Sequence, residues 1–292
     1  MAWFMACRTS TRSNGADAAI IFADILLILE PMGVGLEYVK GDGPAIHRPV
    51  RTLDDVENLV QTAPQETLPF VLEAIKKTRT ALKADIPLIG FAGAPFTVAS
   101  YAIEGKSSEH YMHTKKMMFQ DPQAWNLLMS KLTDQTVKYL NAQIVAGAQI
   151  VQVFDSWIGS VSPMDYKELI FPHMKRLFAG IKKGVPAIHF GTGTSGLLEL
   201  MREAGGTVIG LDWRVDLGLA RSRLGEVPVM GNLDPLVLLS TPKVIRGKVK
   251  KILNQNAGRP GHIFNLGHGI LPQTPVENVI ALVEAVHEIS RT

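Results

Sequence analysis

Short apolar segments alternate along the chain with longer segments in which apolar residues recur at helical spacing. The apolar segments are rich in Ile, Val and Phe. Continuous apolar runs of this length are typical of parallel strands that helices cover, so the pattern predicts an α/β protein. The segments predicted as strands are residues 17–22, 87–92, 149–154, 186–190, 207–211, 227–230 and 262–266.

The amphipathic segments between these strands predict helices. Pro163 and Pro242 fit a first helical turn, and Gly147 fits a helix end. Ser195 is placed to cap the free amides at a helix start. Residues 36–51, with glycines near their centre, predict a β-hairpin after the first strand. The predicted helices are residues 65–83, 121–147, 163–183, 195–204, 242–256 and 275–290.

The number of strand–helix units favours a TIM-type (β/α)8 barrel over a shorter doubly wound sheet. We expect one domain over residues 1–292, because no linker, repeat or low-complexity tract divides the chain. Such a barrel gathers the carboxyl ends of all its strands at one mouth, where the active site is built. The residues that follow the predicted strands are Asp24, Pro95, Thr97, Asp155, Ser156, Thr192, Thr194, Asp212, Asn232, Asp234 and His268.

Several of these residues also have a purely structural interpretation. Asp24 can cap a turn or form an ion pair, although its place at the end of an apolar strand favours function. Ser156 can hydrogen-bond its own turn, and Tyr101 can be an ordinary core aromatic residue. His268 lies between two glycines on a loop, which favours function because glycines allow a ligand to approach closely.

Residues 191–196, Gly-Thr-Gly-Thr-Ser-Gly, match the dinucleotide fingerprint G-x-G-x-x-G, and Asp212 stands at a fitting distance beyond it. Taken alone, this motif suggests a nicotinamide-dependent dehydrogenase. It lies in the middle of the chain, however, whereas a Rossmann domain carries it in its first strand–helix turn. We therefore favour a glycine-permitted turn into a helix, and we interpret Asp212 and Trp213 as turn and packing residues.

Charge and cysteine content exclude several classes of partner. The formal net charge is only +3, which does not indicate a nucleic-acid or membrane-surface protein. Cys7 is the single cysteine, which excludes an intrachain disulfide and a multi-cysteine zinc site. The longest apolar run, residues 18–29, is too short to cross a bilayer and contains Asp24. With no recognisable secretory signal, we expect a cytoplasmic protein.

Five separate motifs, in this order, resemble those of the uroporphyrinogen decarboxylase family, from about residue 17 to the C-terminus. This family removes carbon dioxide from the four acetate arms of uroporphyrinogen, giving coproporphyrinogen in haem biosynthesis. The motifs are residues 17–26 (DAAIIFADIL), 90–97 (GFAGAPFT) with Tyr101 beyond, 154–157 (FDSW), 231–235 (GNLDP) and 264–269 (FNLGHG).

The resemblance implies a distorted (β/α)8 barrel, a homodimer, and a decarboxylase that uses no metal or organic cofactor. Carried over by motif, the family's catalytic residues fall on Asp24, Tyr101 and His268. Substrate binding falls on these three residues together with Ser156 and Phe154. The only small-molecule partner that it implies is the tetrapyrrole substrate.

The N-terminal segment, residues 1–16, departs from the family pattern. The family opens with approximately Trp-x-Met-Arg-Gln-Ala-Gly-Arg, whose arginines grip substrate carboxylates. Here Trp3, Phe4 and Met5 are followed by Ala-Cys-Arg, and the stretch that normally leads to Asp17 is almost absent. We therefore expect an incomplete first βα unit and weaker substrate binding, with Arg8 or Arg12 as the nearest replacements.

Two other functions remain open on the sequence. A catalytically impaired barrel that binds tetrapyrrole fits the altered N-terminus. A corrinoid-linked methyltransferase of the same superfamily holds zinc through Cys and His, and the position of Cys7, far from the barrel-end motifs, argues against it.

Overall fold

The structure is a computed structural model and describes residues 15–21, 23–39 and 43–290. The predictions made for Cys7, Arg8, Arg12 and the rest of residues 1–14 lie outside the described residues. No helix in the described part of the chain is long and apolar enough to cross a membrane.

The described residues form a seven-stranded parallel sheet and a separate two-stranded hairpin. All seven predicted strands are confirmed, with ends that move by at most three residues. The sheet follows the chain order β1-β4-β5-β6-β7-β8-β9. Its strands are β1 (Ala19–Ile20), β4 (Leu88–Gly93), β5 (Ile150–Asp155), β6 (Ala187–Gly191), β7 (Val208–Gly210), β8 (Val229–Leu233) and β9 (His262–Leu266); the hairpin is β2 (Leu36–Val39) and β3 (Gly43–Ile46).

The sheet is curled into a partial barrel. Ile20 of β1 and Asn265 of β9 line the same cavity although β1 and β9 are its two edge strands. In a flat sheet, seven strands at a spacing of about 4.8 Å would hold the two edges nearly 30 Å apart. Within the described residues no strand pairing joins the two edges. The predicted distorted and incomplete barrel is therefore confirmed.

Helices cover the outer face of the sheet, and most follow the predicted positions. The predicted helix 163–183 is divided at Ile170, before Pro172, and ends at Gly180. Ser195 does not cap a helix, because the following helix has Leu197 at its N-cap. The helices are α1 (Leu53–Glu57), α2 (Pro64–Thr67), α3 (Pro69–Ala81), α4 (Pro95–Glu104), α5 (Met112–Gln120), α6 (Pro122–Ala146), α7 (Pro163–Leu169), α8 (Phe171–Gly180), α9 (Leu198–Ala204), α10 (Leu217–Leu224), α11 (Pro242–Asn256) and α12 (Val276–Ser290).

Alternation of side chains along the strands builds the barrel interior. Near the amino ends of the strands, Ile188, Val208 and Met230 form a buried apolar cluster against Ile150 and Ile263. This cluster is the floor of the barrel. Two residues further along β5, β6 and β9, the side chains of Gln152, Phe190 and Asn265 line an open cavity.

The predicted hairpin after the first strand is confirmed. Leu36 pairs with Ile46 in antiparallel register. The amide of Ile46 donates to the carbonyl of Gly105, at the end of α4, over 2.8 Å. The hairpin is thereby fixed to the helix that carries Tyr101.

Candidate functional site

A cavity of about 320 Å³ opens at the carboxyl ends of the strands. Strands from both edges of the sheet contribute to it, and its walls are mainly apolar. None of the described residues that line it is Lys, Arg, Asp or Glu. The lining residues are Ile20, Ile21, Ala23, Ile25, Phe91, Gln152, Phe154, Ser156, Phe190, Asn265, Leu266, His268, Gly269 and Ile270.

Phe154 and Ser156 enter the cavity from β5 and from the turn that follows it. Phe154 is paired in register with Phe190 on β6, and their ring centroids are 5.7 Å apart in an edge contact. Phe91 packs edge-on against Phe154 from the other side, at 5.5 Å. The hydroxyl of Thr192 donates to the carbonyl oxygen of Ser156. Three aromatic rings from neighbouring strands thus form one wall, and Ser156 adds a hydroxyl at its edge.

Asp24 lies just beyond β1, between the two cavity-lining residues Ala23 and Ile25. One of its carboxylate oxygens accepts a hydrogen bond from the amide of Leu26, over 2.7 Å. The Asp24 carboxylate affects the pKa of two tyrosines. Burial and then the negative charge of Asp24 raise the pKa of Tyr101, and the same two causes together with a hydrogen bond to Asp24 raise the pKa of Tyr38.

Tyr101 reaches this point from α4. Its ring stacks on Trp157, with centroids 3.7 Å apart and planes 27° from parallel. Tyr111 contacts the same indole edge-on at 5.1 Å. Because Trp157 directly follows Ser156, the stack connects α4 to the turn after β5 and fixes the distance between Tyr101 and Ser156.

Asp155 does not face the cavity, although it directly precedes Ser156. It is fully buried, and its Oδ1 accepts a hydrogen bond from the Thr97 hydroxyl over 2.7 Å. Its Oδ2 has no hydrogen-bond partner in the described part of the molecule. Burial raises the pKa of Asp155 to about 7. Adjacent strand residues point to opposite sides, so Asp155 belongs to the wall of the barrel and Ser156 to its mouth.

His268 lies at the rim of the cavity on the loop after β9. The loop packs against the chain after β7 because Gly267 has no side chain: a Cβ there would overlap with the backbone nitrogen of Trp213. The His268 ring makes an edge contact with Trp213, at 6.3 Å. The pKa of His268 is lowered, first by desolvation of the ring and then by the positive charge of Arg214. The residue as a whole is nevertheless exposed.

The glycine-rich segment 191–196 forms a turn at this end of β6. Gly193 has a φ of 68°, and its amide donates to the Asp212 carboxylate over 2.7 Å. The same carboxylate pairs with the Arg214 guanidinium over 2.6 Å. An amide that a dinucleotide phosphate would require is therefore bound to a buried side chain of the protein itself. Among the described residues, no three His, Cys, Asp or Glu side chains are grouped as metal ligands.

The structure brings the predicted residues into one region. Phe154, Ser156 and His268 line the cavity, and Asp24 lies at its rim with Tyr101 within electrostatic reach. The sequence reasoning gave no role to Trp157 or Arg214. Trp157 belongs to the motif of residues 154–157, so the sequence could have pointed to it. For Arg214 the sequence offered only its position two residues after Asp212.

Comparisons with known proteins identify the family of this chain. The sequence profile of the family described as Uroporphyrinogen decarboxylase (URO-D) matches residues 8–289. A relative from Carboxydothermus hydrogenoformans named "Uroporphyrinogen decarboxylase" is 54% identical over 281 residues, which is 96% of this chain and 80% of the relative. One of the same name from Thermus thermophilus is 53% identical over 280 residues, covering 96% of this chain and 82% of the relative.

Among solved structures, a methyltransferase from Methanosarcina mazei superposes with a TM-score of 0.82 at 22% identity, covering 96% of this chain and 82% of that one. At this identity the likeness shows a shared fold alone. The profile match and the sequence relatives carry the assignment. The chain belongs to the uroporphyrinogen decarboxylase family.

Proposed function

We propose that this protein is a carboxy-lyase that converts uroporphyrinogen to coproporphyrinogen, removing the carboxyl groups of four acetate arms without a metal or organic cofactor. The observation that carries the proposal is that Ser156 and His268, from two separate family motifs, line one apolar cavity, while Asp24 lies between two of its lining residues and acts electrostatically on Tyr101. The names and identities of the relatives support the same reaction.

The residue types suit the chemistry of decarboxylation. When a pyrrole ring takes up a proton it becomes an electron sink, so the electron pair of the breaking C–C bond flows into the ring as carbon dioxide leaves. A proton then adds to the exocyclic methylene carbon to give the methyl group, and the ring loses the proton that it took up. The protein then has to hold the macrocycle and stabilise a cationic ring. The Asp24 carboxylate is proposed to face the pyrrole N–H groups, where it accepts hydrogen bonds and stabilises the developing positive charge.

The other residues complete the binding site in this proposal. Tyr101 and Ser156 donate hydrogen bonds to carboxylate arms, and Phe154 packs against the apolar surface of the macrocycle. His268 also donates to a carboxylate arm and is able to carry a proton. We further propose that the protein acts as a homodimer in the cytoplasm.

An anaerobic assay with uroporphyrinogen tests the function. The expected result is stepwise loss of carboxyl groups, ending in the four-carboxylate product, when products are separated by their number of carboxylates. Tight binding of the macrocycle without any loss of carboxyl groups would identify a tetrapyrrole-binding barrel instead. Purified protein dialysed against a chelator serves as the control, and we expect its turnover to be unchanged.

A further inference from the structure

The proposed substrate poses a charge problem for this cavity. Its arms carry several carboxylates, and Asp24 at the rim has the same sign of charge. The described lining residues include no Lys or Arg. Carboxylates that leave water need charged or hydrogen-bonding partners, so a cation close to the rim would stabilise the bound substrate.

Arg214 does not line the main cavity itself, but it lies one indole ring away from His268, which does. Its guanidinium sits over the Trp213 ring, 4.0 Å from the ring centroid. The edge of the same indole contacts His268, whose ring lines the cavity. One indole ring therefore separates the guanidinium from a proposed substrate-binding side chain.

The position of Arg214 is fixed before any ligand binds. Its Nη1 donates to Oδ2 of Asp212 over 2.6 Å, and its backbone amide donates to Oδ1 over 3.1 Å. Asp212 is itself fully buried and also holds the amide of Gly193. The Arg214 side chain nevertheless remains 53% exposed. The guanidinium pairs with Asp212 on one side and stacks on Trp213 on the other. Its remaining N–H donors are directed to solvent.

The surroundings of Arg214 carry charges of both signs. A second cavity of about 320 Å³ opens beside Trp213 and is lined by Arg214 together with Lys248 and Lys251. Two carboxylates, Asp216 and Asp234, also line it. Both carboxylates accept hydrogen bonds from backbone amides of the segments that follow them, over 2.8 and 2.9 Å.

We propose that Arg214 forms a carboxylate-binding subsite at the rim, which holds one carboxylate arm of the tetrapyrrole while the macrocycle occupies the main cavity. This inference rests on the proposed function. The subsite supplies positive charge from the loop after β7, on the wall that also carries His268. Arg214 contributes to binding of the carboxylate arm and takes no part in proton transfer.

Arg214→Met and Arg214→Lys test the subsite, with Arg246→Met as the matched control. Arg246 is similarly exposed and also forms a single ion pair, with Glu288 on the outer surface of α11 and α12. For Arg214→Met we expect KM for uroporphyrinogen to rise about tenfold with kcat within about twofold of the wild type, the scale of one lost charge-assisted hydrogen bond. Arg214→Lys should show a smaller rise, and Arg246→Met none.

Two further measurements separate binding from support of the fold. The dissociation constant for uroporphyrin, the stable oxidised macrocycle, should follow KM in each variant, and its salt dependence should weaken in Arg214→Met. An unchanged KM and dissociation constant in Arg214→Met would overturn the subsite. Equal losses of kcat and thermal stability in both Arg214 variants, without a change in KM, would also overturn it.

If the wild type converts no uroporphyrinogen, the proposed function fails. The uroporphyrin titration then still decides the subsite by itself: weaker binding by Arg214→Met than by Arg246→Met supports it, and equal binding overturns it.

Discussion

The hydroxyl of Thr97 donates a hydrogen bond to the buried carboxyl of Asp155, with Oγ1 and Oδ1 2.7 Å apart. The same oxygen of Thr97 accepts from the amide of Trp157, over 3.2 Å. One hydroxyl therefore joins the first turn of α4 to the end of β5 and to the turn beyond it. These elements carry Tyr101 and Ser156, so the geometry of the proposed site depends on this buried polar pair.

We predict that Asp155 makes stability depend on pH. Its pKa is raised to about 7 in the folded protein, from 3.8 in an unperturbed carboxyl. The neutral form is thus favoured by folding, and its stabilisation is complete below about pH 4 and is lost as pH rises through 7. Each pKa unit corresponds to about 1.4 kcal/mol, so the loss is on the order of a few kcal/mol.

Asp155→Asn tests this prediction, because the amide keeps an acceptor for Thr97 and does not ionise. Urea unfolding at pH 5 and at pH 7.5 should show that the variant gains stability relative to the wild type as pH rises. Taking the difference between the two proteins removes the contribution of other titrating groups. A difference that stays constant between the two pH values would contradict a neutral Asp155.

We predict that Asp24→Asn lowers the rate of uroporphyrinogen decarboxylation by at least ~100-fold, because the amide provides no negative charge opposite the pyrrole N–H groups. Asp121→Asn is the control. The Asp121 carboxylate likewise accepts a hydrogen bond from a nearby backbone amide, that of Ala124, over 3.0 Å, and it lines neither of the two cavities. Initial rates should fall only for Asp24→Asn, while circular dichroism shows both variants folded. Near-normal turnover would remove Asp24 from its proposed role.

Tyr101→Phe should separate the hydroxyl from the stacked ring. The phenyl ring keeps the contact with Trp157, so the melting temperature should stay within a few degrees of the wild type. Activity should fall about tenfold, because the lost hydroxyl lies within electrostatic reach of Asp24. Tyr111→Phe, which alters a second ring on the same indole, is expected to retain activity. Equal losses in the two variants would show that the hydroxyl of Tyr101 has no special role.

Gly267→Ala should displace the loop that carries His268. The added methyl group would overlap with the backbone of Trp213, whereas at Gly247, in α11, a methyl group meets no atom within 4 Å. We expect Gly267→Ala to cost about 1–3 kcal/mol in the free energy of unfolding and to lower activity more than tenfold. Gly247→Ala should leave activity close to the wild type and should not lower stability. An active, stable Gly267→Ala variant would show that the loop tolerates the shift.

The amino-acid sequence alone predicted the strands of the sheet, because parallel strands buried on both faces need continuous apolar runs. It also predicted α11 over residues 242–256 with both ends correct, since Pro242 opens the helix and one stripe of apolar residues faces the core. It missed α4, residues 95–104, whose side chains are almost all buried. A helix surrounded by protein shows no alternation of polar and apolar faces.

For the proposed site, the sequence identified Asp24, Tyr101, Ser156, Phe154 and His268 from separate motifs. Phe154, Ser156 and His268 line one cavity, beside Asp24, because the curl of the sheet brings its two edge strands together.

Tertiary structure alone also decided which strand-end residues are accessible. Asp155 and Ser156 are neighbours in the chain, yet one is sealed in the wall and the other faces the cavity. Arg214 gains its position only through contacts with Asp212 and Trp213. Local sequence fixes the spacing of side chains along each element, whereas the direction in which each one points, and the charges that it meets there, depend on how distant elements pack.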